Sequence, residues 1–418
     1  MERNDEYNPR KPSNKPAPPT TSSSSSSVQR SYANNNNNST NFNSNSNLRR
    51  NYERPMSSQS KVGSLRISSD ELANDVSNIQ PIAGTCPFMC PEKERSQREQ
   101  LRDLAVFERL YGNPSRSSSA LAVKKFCRTI STKDVQATDI RPLPVLEDSL
   151  NYLMKLLDSS DQPFEIVHDF IFDRTRSIRQ DLSMQNINND KVICMYEKMV
   201  KFHIISHHKL RRCEGDSTII SSIHYLNREQ LTKCLASLYN VYDVNRTSDS
   251  VFDNEAEFRS LYVLLHLDSQ SHSTGESLSL WFSRLPSFII KSKKMCFARS
   301  VLRFYRIGNF WRFFRTVAAE ATSLQFYIIE PYINQVWGNA LECINSSGYK
   351  LHPYPLASLS KILMIKEQDL EAFCNACGLD VSEDDMGNKV LPTKQTNFCH
   401  PKDGLDSLDS SLLELYRK

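Results

Sequence analysis

Glycine is scarce in this chain. Its 418 residues hold 11 glycines, and none of them forms a phosphate-cradling glycine-rich loop. No HExxH metal motif and no nucleophile elbow occurs. These gaps remove the commonest signatures of nucleotide-using enzymes, metalloproteases and serine hydrolases. Long apolar runs are also missing: none approaches the roughly 18–20 residues that a membrane span needs. The first residues are charged and polar, without the apolar centre of a secretion signal. The expectation is a cytosolic or nuclear protein whose 11 scattered cysteines are reduced, several of them buried. Large aliphatic side chains are almost missing from residues 1–66. That stretch holds a serine run (Ser22–Ser27), an asparagine run (Asn34–Asn38) and early prolines (Pro9, Pro12, Pro16, Pro18, Pro19). It cannot bury enough apolar surface to offset chain entropy, so a disordered tail is expected over 1–78.

Charge is unevenly spread. Residues 1–66 carry 10 Lys/Arg against 4 Asp/Glu, a net +6, while the remainder is near neutral at −2. The tail can hold polyanions loosely or simply keep the chain soluble.

What is present is helix after helix. Pro91–Gly112 opens with proline and acidic residues and then places Leu101, Leu104, Phe107 and Leu110 at helical spacing. Further helices are predicted over Pro142–Ser159, with Leu146, Leu150, Leu153 and Leu157 on one stripe, and over Pro163–Gln185 and Asp190–Arg212. Another is predicted over Asn227–Val244, with Asn227 as N-cap, and another over Asn254–Asp268. Two more are separated at Gly308–Asn309. Two short helices then lead to Gly387 and the runs "NKVLPT" and "TNFCHP", read as a β-hairpin. That order is the order of a winged-helix module. The resulting fold class is an all-α stack of helices ending in a C-terminal winged helix, preceded by the disordered tail. The expected boundaries are 1–78 for the tail, 79–225 for an N-terminal stack, 226–345 for a second helical region, 346–402 for the winged helix and 403–418 for a C-terminal tail.

Four features compete as sites. The first is "GTCPFMCPEKE" (Gly84–Glu94). Its Cys86 and Cys90 have one residue too many between them for a redox pair. Zinc needs four ligands, and the other close pair, Cys374/Cys377 with Cys399–His400 after it, falls on an apolar helix pattern. Cys86, Met89 and Cys90 are expected to pack as small hydrophobes in a proline-fixed loop. The second is "DRTRSIRQD" (Asp173–Asp181). Arg174, Arg176 and Arg179 could bind phosphate, but Asp173 stands three residues before Arg176, an ion-pair spacing on a helix. A salt-bridged helix locking its neighbours is the favoured reading. The third is Lys291–Arg315, with eight Lys/Arg, seven aromatics and no acid. Basic residues interleaved with aromatics are the footprint of nucleic-acid binding. Most of these aromatics should be core, leaving Lys293, Lys294, Arg299, Arg303 and Arg306 to track a phosphate backbone. The fourth is the terminal module. Its second helix carries Glu367, Asp369 and Glu371 and so does not suit a DNA groove, whereas Lys389 and Lys394 could touch a backbone. His207–His208 reads as a helix-end feature. No catalytic residue, cofactor-binding residue or metal ligand is expected.

Four longer motifs resemble one family in order. "GTCPFMCPEKER" (Gly84–Arg95), "DFIFDRTRSIRQDLSMQ" (Asp169–Gln185), "YEKMVKFHIISHHKL" (Tyr196–Leu210) and "FYRIGNFWRFFR" (Phe304–Arg315) resemble the GANP-type, or suppressor-of-actin-three, mRNA-export scaffolds, in a short, plant-like form. The likeness spans roughly Pro81 to Leu379. It gives a family role to Gly84, Cys86, Met89, Cys90, Pro91, Glu92, Arg95, Asp173, Arg174, Arg176, Arg179, Gly308 and Asn309. The resemblance implies a PCI-type fold, an all-α superhelical (TPR-like) stack closed by the C-terminal winged helix, and a non-enzymatic PCI-domain scaffold of a TREX-type transcription-and-export complex in the nucleus, in nucleoplasm and at the pore periphery. The implied partners are a second PCI-domain protein, a small acidic bridging protein, mRNA or single-stranded nucleic acid held weakly, and nuclear-pore components, with no membrane. The tail holds no Phe-Gly repeats, and the chain ends at Lys418 before any long centrin-binding helix. Pore anchoring by those routes is therefore not part of the expectation. The alternative is a PCI subunit of a proteasome-lid- or signalosome-like assembly.

Overall fold

The computed structural model describes residues 81–128, 135–159, 161–213, 217–246, 252–268, 277–347 and 352–400. The segments 1–78 and 403–418, expected to be tails, fall outside the described residues. Helices dominate: α1 (Glu92–Gln100), α2 (Leu143–Ser159), α3 (Phe164–Met184), α4 (Asp190–Leu210) and α5 (Ser217–Val244) come first. They are followed by α6 (Glu255–Leu265), α7 (Leu278–Ser283), α8 (Ser287–Lys291), α9 (Lys293–Arg306), α10 (Phe310–Glu320), α11 (Ser323–Ile329) and α12 (Ile333–Ser347). The last helices are α13 (Leu356–Leu363) and α14 (Glu367–Ala376).

The 3.6-residue period explains how the helices bury their faces. On α3, Val167, Ile171, Arg174, Ile178 and Leu182 recur at three- and four-residue steps and are all buried. Leu146, Leu150 and Leu153 do the same on α2. A contiguous apolar cluster runs from Val123 and Leu146 through Phe202, Leu235, Phe258, Val301 and Phe314 to Leu370 and Leu391. Burying each such side chain contributes about 1.5–3 kcal/mol.

Three expected elements take a different form in the structure, each for a physical reason. Helix α1 stops at Gln100 instead of continuing to Gly112. Arg102 turns left-handed at φ 54°, and a 3-10 turn follows at Val106–Glu108. The reversal leaves Leu101 exposed but carries the Glu108 carboxylate back onto Arg98 and Arg174. Asn227 is not an N-cap, because α5 begins at Ser217 and Asn227 is buried inside it. Its carboxamide is taken up by two histidines: its oxygen lies 2.8 Å from His203 Nδ1 and 3.3 Å from His168 Nε2, and its nitrogen donates to the His203 carbonyl at 2.8 Å. The hairpin also lies one run earlier than expected. β2 (Ser382–Glu383) pairs with β3 (Lys389–Leu391) across a turn at Gly387, where φ is 77° and the Asp384 carboxylate accepts the Met386 and Asn388 N–H groups. The described part of "TNFCHP", residues 396–400, forms no strand. It returns along the module, where the Cys399 N–H reaches the Cys377 carbonyl at 2.9 Å.

The terminal module therefore consists of two short helices and an antiparallel hairpin. A further strand, β1 (Tyr354–Pro355), gives the sheet order β1-β3-β2, with Tyr354 opposite Leu391. Trp337 of α12 locks the module onto the stack. Its indole lies 6.1 Å from Phe314 of α10 and 5.6 Å from Phe373 of α14, centroid to centroid, and its N–H donates to the Leu363 carbonyl at 3.0 Å. Trp337→Phe removes that bond and part of the filling. It should destabilise the protein by on the order of 2 kcal/mol, read as a lowered midpoint in urea.

Candidate functional site

The opening loop owes its path to Gly84. A Cβ there would stand 2.7 Å from the Ile140 carbonyl oxygen, so only glycine admits the approach. The Gly84 N–H meets Gln185 Oε1 at 3.1 Å, and the Cys86 N–H meets the Ile140 carbonyl at 3.0 Å. Both cysteines are buried. Cys86 donates to the Phe88 carbonyl, and Cys90 lies 4.0 Å from an Arg98 nitrogen. Burial is the main cause that raises both thiol pKa values, so neither sulfur is a thiolate near neutral pH. Met89 is half-buried, and its carbonyl accepts from the Lys124 N–H at 2.9 Å and from Arg141 at 3.2 Å. Pro91 precedes α1 and accepts the Arg95 N–H, while Glu92 and Arg95 make an outer-face ion pair. Serine at both Cys86 and Cys90 buries two hydroxyls in place of thiols. The double change should cost about 2–3 kcal/mol while metal content stays the same. Metal lost on substitution would contradict this.

Under the loop lies a lattice of buried ions that the sequence reading only half found. Glu108 holds Arg98 and, at 3.0 Å, Arg174. Asp181 holds Lys124 at 2.6 Å and Arg141 Nε at 2.8 Å, and Arg141 also donates to Ser177 Oγ at 2.9 Å. All six charged groups are almost fully buried. The expected pairing of Asp173 with Arg176 does not form. Asp173 bonds the neighbouring Arg174 and the Phe126 N–H, and the Arg176 guanidinium lies 3.8 Å from the Phe126 ring centroid. Arg179 reaches Gln230 Oε1 at 2.6 Å. Arg174 is buried, and Arg176 and Arg179 are half-buried against Phe126 and Gln230. Arg174, Arg176 and Asp181 clamp the segments around 98–108, 123–126 and 139–141 onto α3. Lys124 and Arg141 lie in stretches with no helical period to expose them, and Arg98 and Glu108 fall in a stretch whose helical spacing misleads. Asp181 could have been found, since it follows Ile178 and Arg174 on the buried stripe.

His207 and His208 part company. His207 is buried against His224, with ring centroids 4.3 Å apart. His208 stacks on Tyr327 at 3.9 Å and meets Glu330 at 2.5 Å, where Arg212 joins it at 2.6 Å. Cys374 and Cys377 are core residues whose thiols are pushed up to about 12, chiefly by burial. Among the described residues, no group of three or more His, Cys, Asp or Glu stands close enough to hold a metal ion. No described helix is long and apolar enough to cross a membrane.

The basic face is on α9 and α10. Ser292 caps α9 by accepting the Met295 N–H at 3.2 Å. Gly308, at φ 66°, and Asn309, whose side chain accepts the Arg312 N–H at 3.1 Å, turn the chain sharply into α10. Phe297, Phe313 and Phe314 are core, and Lys293, Arg299, Arg303 and Arg306 are exposed. Lys294 is the exception: it is half-buried and shares the side of Ala298 and Val301. Lys389 is tied to Glu371 at 2.5 Å, and Lys394 is exposed. The face also includes residues that spacing did not single out. Arg312 and Arg315 are exposed, and so is Trp311, at 44%.

Three proteins of known name are similar to this chain over most of its length. SAC3 family protein B of Arabidopsis thaliana is 35% identical over 341 residues, which cover 78% of this chain and 20% of that protein. SAC3 family protein 1 of Schizosaccharomyces pombe is 32% identical over 337 residues, covering 75% and 32%. Protein xmas of Drosophila melanogaster is 28% identical over 331 residues, covering 75% and 15%. The chain thus spans a third or less of the length of these relatives. A profile of the SAC3/GANP family matches residues 89–383, from the end of the opening loop through the buried ion lattice and the basic elbow to the first strand of the terminal hairpin. With well over half of its length matched in this way, the chain belongs to the SAC3/GANP family.

Proposed function

We propose that this chain is a non-enzymatic scaffold subunit of a TREX-type transcription-and-export complex. It would couple transcription to nuclear mRNA export and dock messenger ribonucleoprotein at the nuclear pore. The observation that carries the reading is the family match over residues 89–383, which covers the helical stack and the terminal module as far as β2. The module's order of two helices and a hairpin in a β1-β3-β2 sheet supports reading residues 346–402 as a winged helix, and the stack before it as PCI-type. The chemistry is consistent with a scaffold. The six charges of the buried lattice pair with one another, and burial keeps the thiols at Cys86, Cys90, Cys374 and Cys377 protonated.

On this reading the partners are a second PCI-domain protein, a small acidic bridging protein and pore components. RNA is held weakly on the exposed cations of α9, namely Lys293, Arg299, Arg303 and Arg306. Lys394 can add to that contact. Lys294 and Lys389 are poorer candidates, one half-buried and the other paired. RNA binding of this kind is blind to sequence and falls steeply with salt.

Affinity purification of the tagged full chain followed by mass spectrometry tests the proposal. A second PCI-domain protein with mRNA-export factors is the expected result. Recovery of proteasome-lid or signalosome subunits instead would transfer the chain to that kind of assembly.

A further inference from the structure

Elsewhere on the surface, several exposed cations have carboxylate partners. Lys125 pairs with Asp103, Lys191 with Glu147 and Lys233 with Glu229. The α9–α10 elbow differs. Arg299, Arg303 and Arg306 repeat at four- and three-residue steps along the open side of α9, and Arg312 and Arg315 continue on α10. None of the five has a carboxylate partner among the described residues, and no acid stands between Lys291 and Arg315.

Into this unpaired positive field the elbow projects flat apolar surface. Ile307 is 61% exposed and Trp311 44%, and together with Gly308, Asn309 and Phe310 they line an open depression of about 290 Å³. The arginines frame it. The Arg315 guanidinium lies 4.9 Å from the Trp311 ring centroid, and Arg312 reaches across the elbow to 5.9 Å from Phe304. The protein's other two tryptophans, Trp281 and Trp337, are buried.

We propose that this elbow is a stacking site for unpaired RNA. One base lies on Trp311 beside Ile307, and the neighbouring phosphates are neutralised by Arg303, Arg306, Arg312 and Arg315. Two physical features select the ligand. The cations call for a polyanion, and the exposed indole calls for a flat ring with its face free. A duplex supplies the first and hides the second inside its own stack. An acidic peptide supplies the charge but no ring. The choice of RNA over DNA rests on the export reading above. The site itself rests on the elbow, and it adds Trp311, Arg312 and Arg315 to the cations that the sequence suggested.

The test uses the full chain and the one exposed tryptophan as its reporter. A 12-nucleotide oligouridylate is titrated at low salt while indole fluorescence and the anisotropy of a 5′ label are followed. Saturable quenching is expected, and it should vanish in Trp311→Phe while binding persists. Affinity should fall about tenfold in Trp311→Ala. Arg303→Glu with Arg312→Glu should reduce both the affinity and the slope of its salt dependence. All these side chains are exposed, so the variants should keep the parental circular dichroism and melting temperature.

Four results would overturn the proposal. They are binding unchanged in Trp311→Ala, a 12-base-pair RNA duplex bound as tightly as the single strand, polyglutamate quenching Trp311 as strongly as RNA, and a deoxy oligomer bound more tightly than the RNA. Any of these can occur while the purified chain still brings down export factors, so this site and the scaffold role fail separately.

Discussion

Replacing Asp181 with asparagine should destabilise the folded protein by about 3–5 kcal/mol, because the change strands two buried cations at once. Lys124 and Arg141 both point at the Asp181 carboxylate, at 2.6 and 2.8 Å, and neither has access to water. A neutral carboxamide keeps the shape and one acceptor oxygen but removes the negative charge. Lys124 retains the Asp139 carbonyl at 2.6 Å, and Arg141 retains Ser177 and the Met89 carbonyl. These neutral partners do not offset a positive charge held out of water. The loss should appear first where the two cations are anchored, in the loops around 123–126 and 139–141, as faster amide exchange there than in α4 and α5. A variant as stable as the parent would mean that the lattice does not hold the opening loop in place. Removing Lys124, Arg141 and Asp181 together for apolar residues of similar volume should cost far less than Asp181→Asn alone, since no charge is then left unpaired.

Acid should weaken the protein well above the pH at which carboxylates protonate. His168, His203 and His207 lie buried in α3 and α4, and burial is the leading cause holding each neutral. The pKa of His168 is lowered to about 4 and that of His203 to about 3, the latter helped by Arg179, while His207 lies well below its ordinary value with His224 beside it. In the unfolded chain these imidazoles take up protons from about pH 6.5 downward, and in the folded chain they do not. Falling pH therefore favours the unfolded state. Stability is complete above about pH 6.5 and is lost progressively down to pH 4 for His168 and further for His203. At pH 5, His168 and His203 should each remove about 2 kcal/mol, with His207 acting in the same direction. Urea midpoints at pH 7.5 and pH 5 measure the effect. The difference should shrink in His207→Leu, which removes one titrating group. Equal midpoints at the two pH values would show that the histidines are not held neutral.

Both predictions concern groups that the sequence disclosed unequally. The helices were legible because their apolar stripes keep the 3.6-residue period, as Leu146, Leu150 and Leu153 do on α2. The same rule misled at α1. Leu101, Leu104, Phe107 and Leu110 satisfy helical spacing, but the chain turns at Arg102 to deliver Glu108 to two arginines. A periodicity argument registers apolar burial and cannot register a carboxylate needed elsewhere. Asn227 failed for a related reason. Its side chain has the right chemistry for a cap, and the fold uses it to bond two histidines from neighbouring helices. In the basic segment the cations were legible, and the exposed aromatic was not. Seven aromatics share that stretch, and only the docking of α10, through Phe313 and Phe314, decides that Trp311 faces outward. Lys294 was misplaced because one helical step of 100° separates an open position from a packed one.

The loop that begins at Gly84 takes its meaning from this lattice. Its cysteines are core side chains, and its glycine permits the close approach to Ile140 that sets the loop over Asp181 and Arg141. The loop is therefore the outer layer of a clamp on α3.

The claim that this clamp and stack serve mRNA export is tested most directly by acute depletion of the chain in its own cells, followed by in situ hybridisation for polyadenylated RNA. The account predicts that polyadenylated RNA accumulates in the nucleus, and that the parental chain restores its export. An unchanged distribution of polyadenylated RNA, with ubiquitin conjugates accumulating instead, would contradict it.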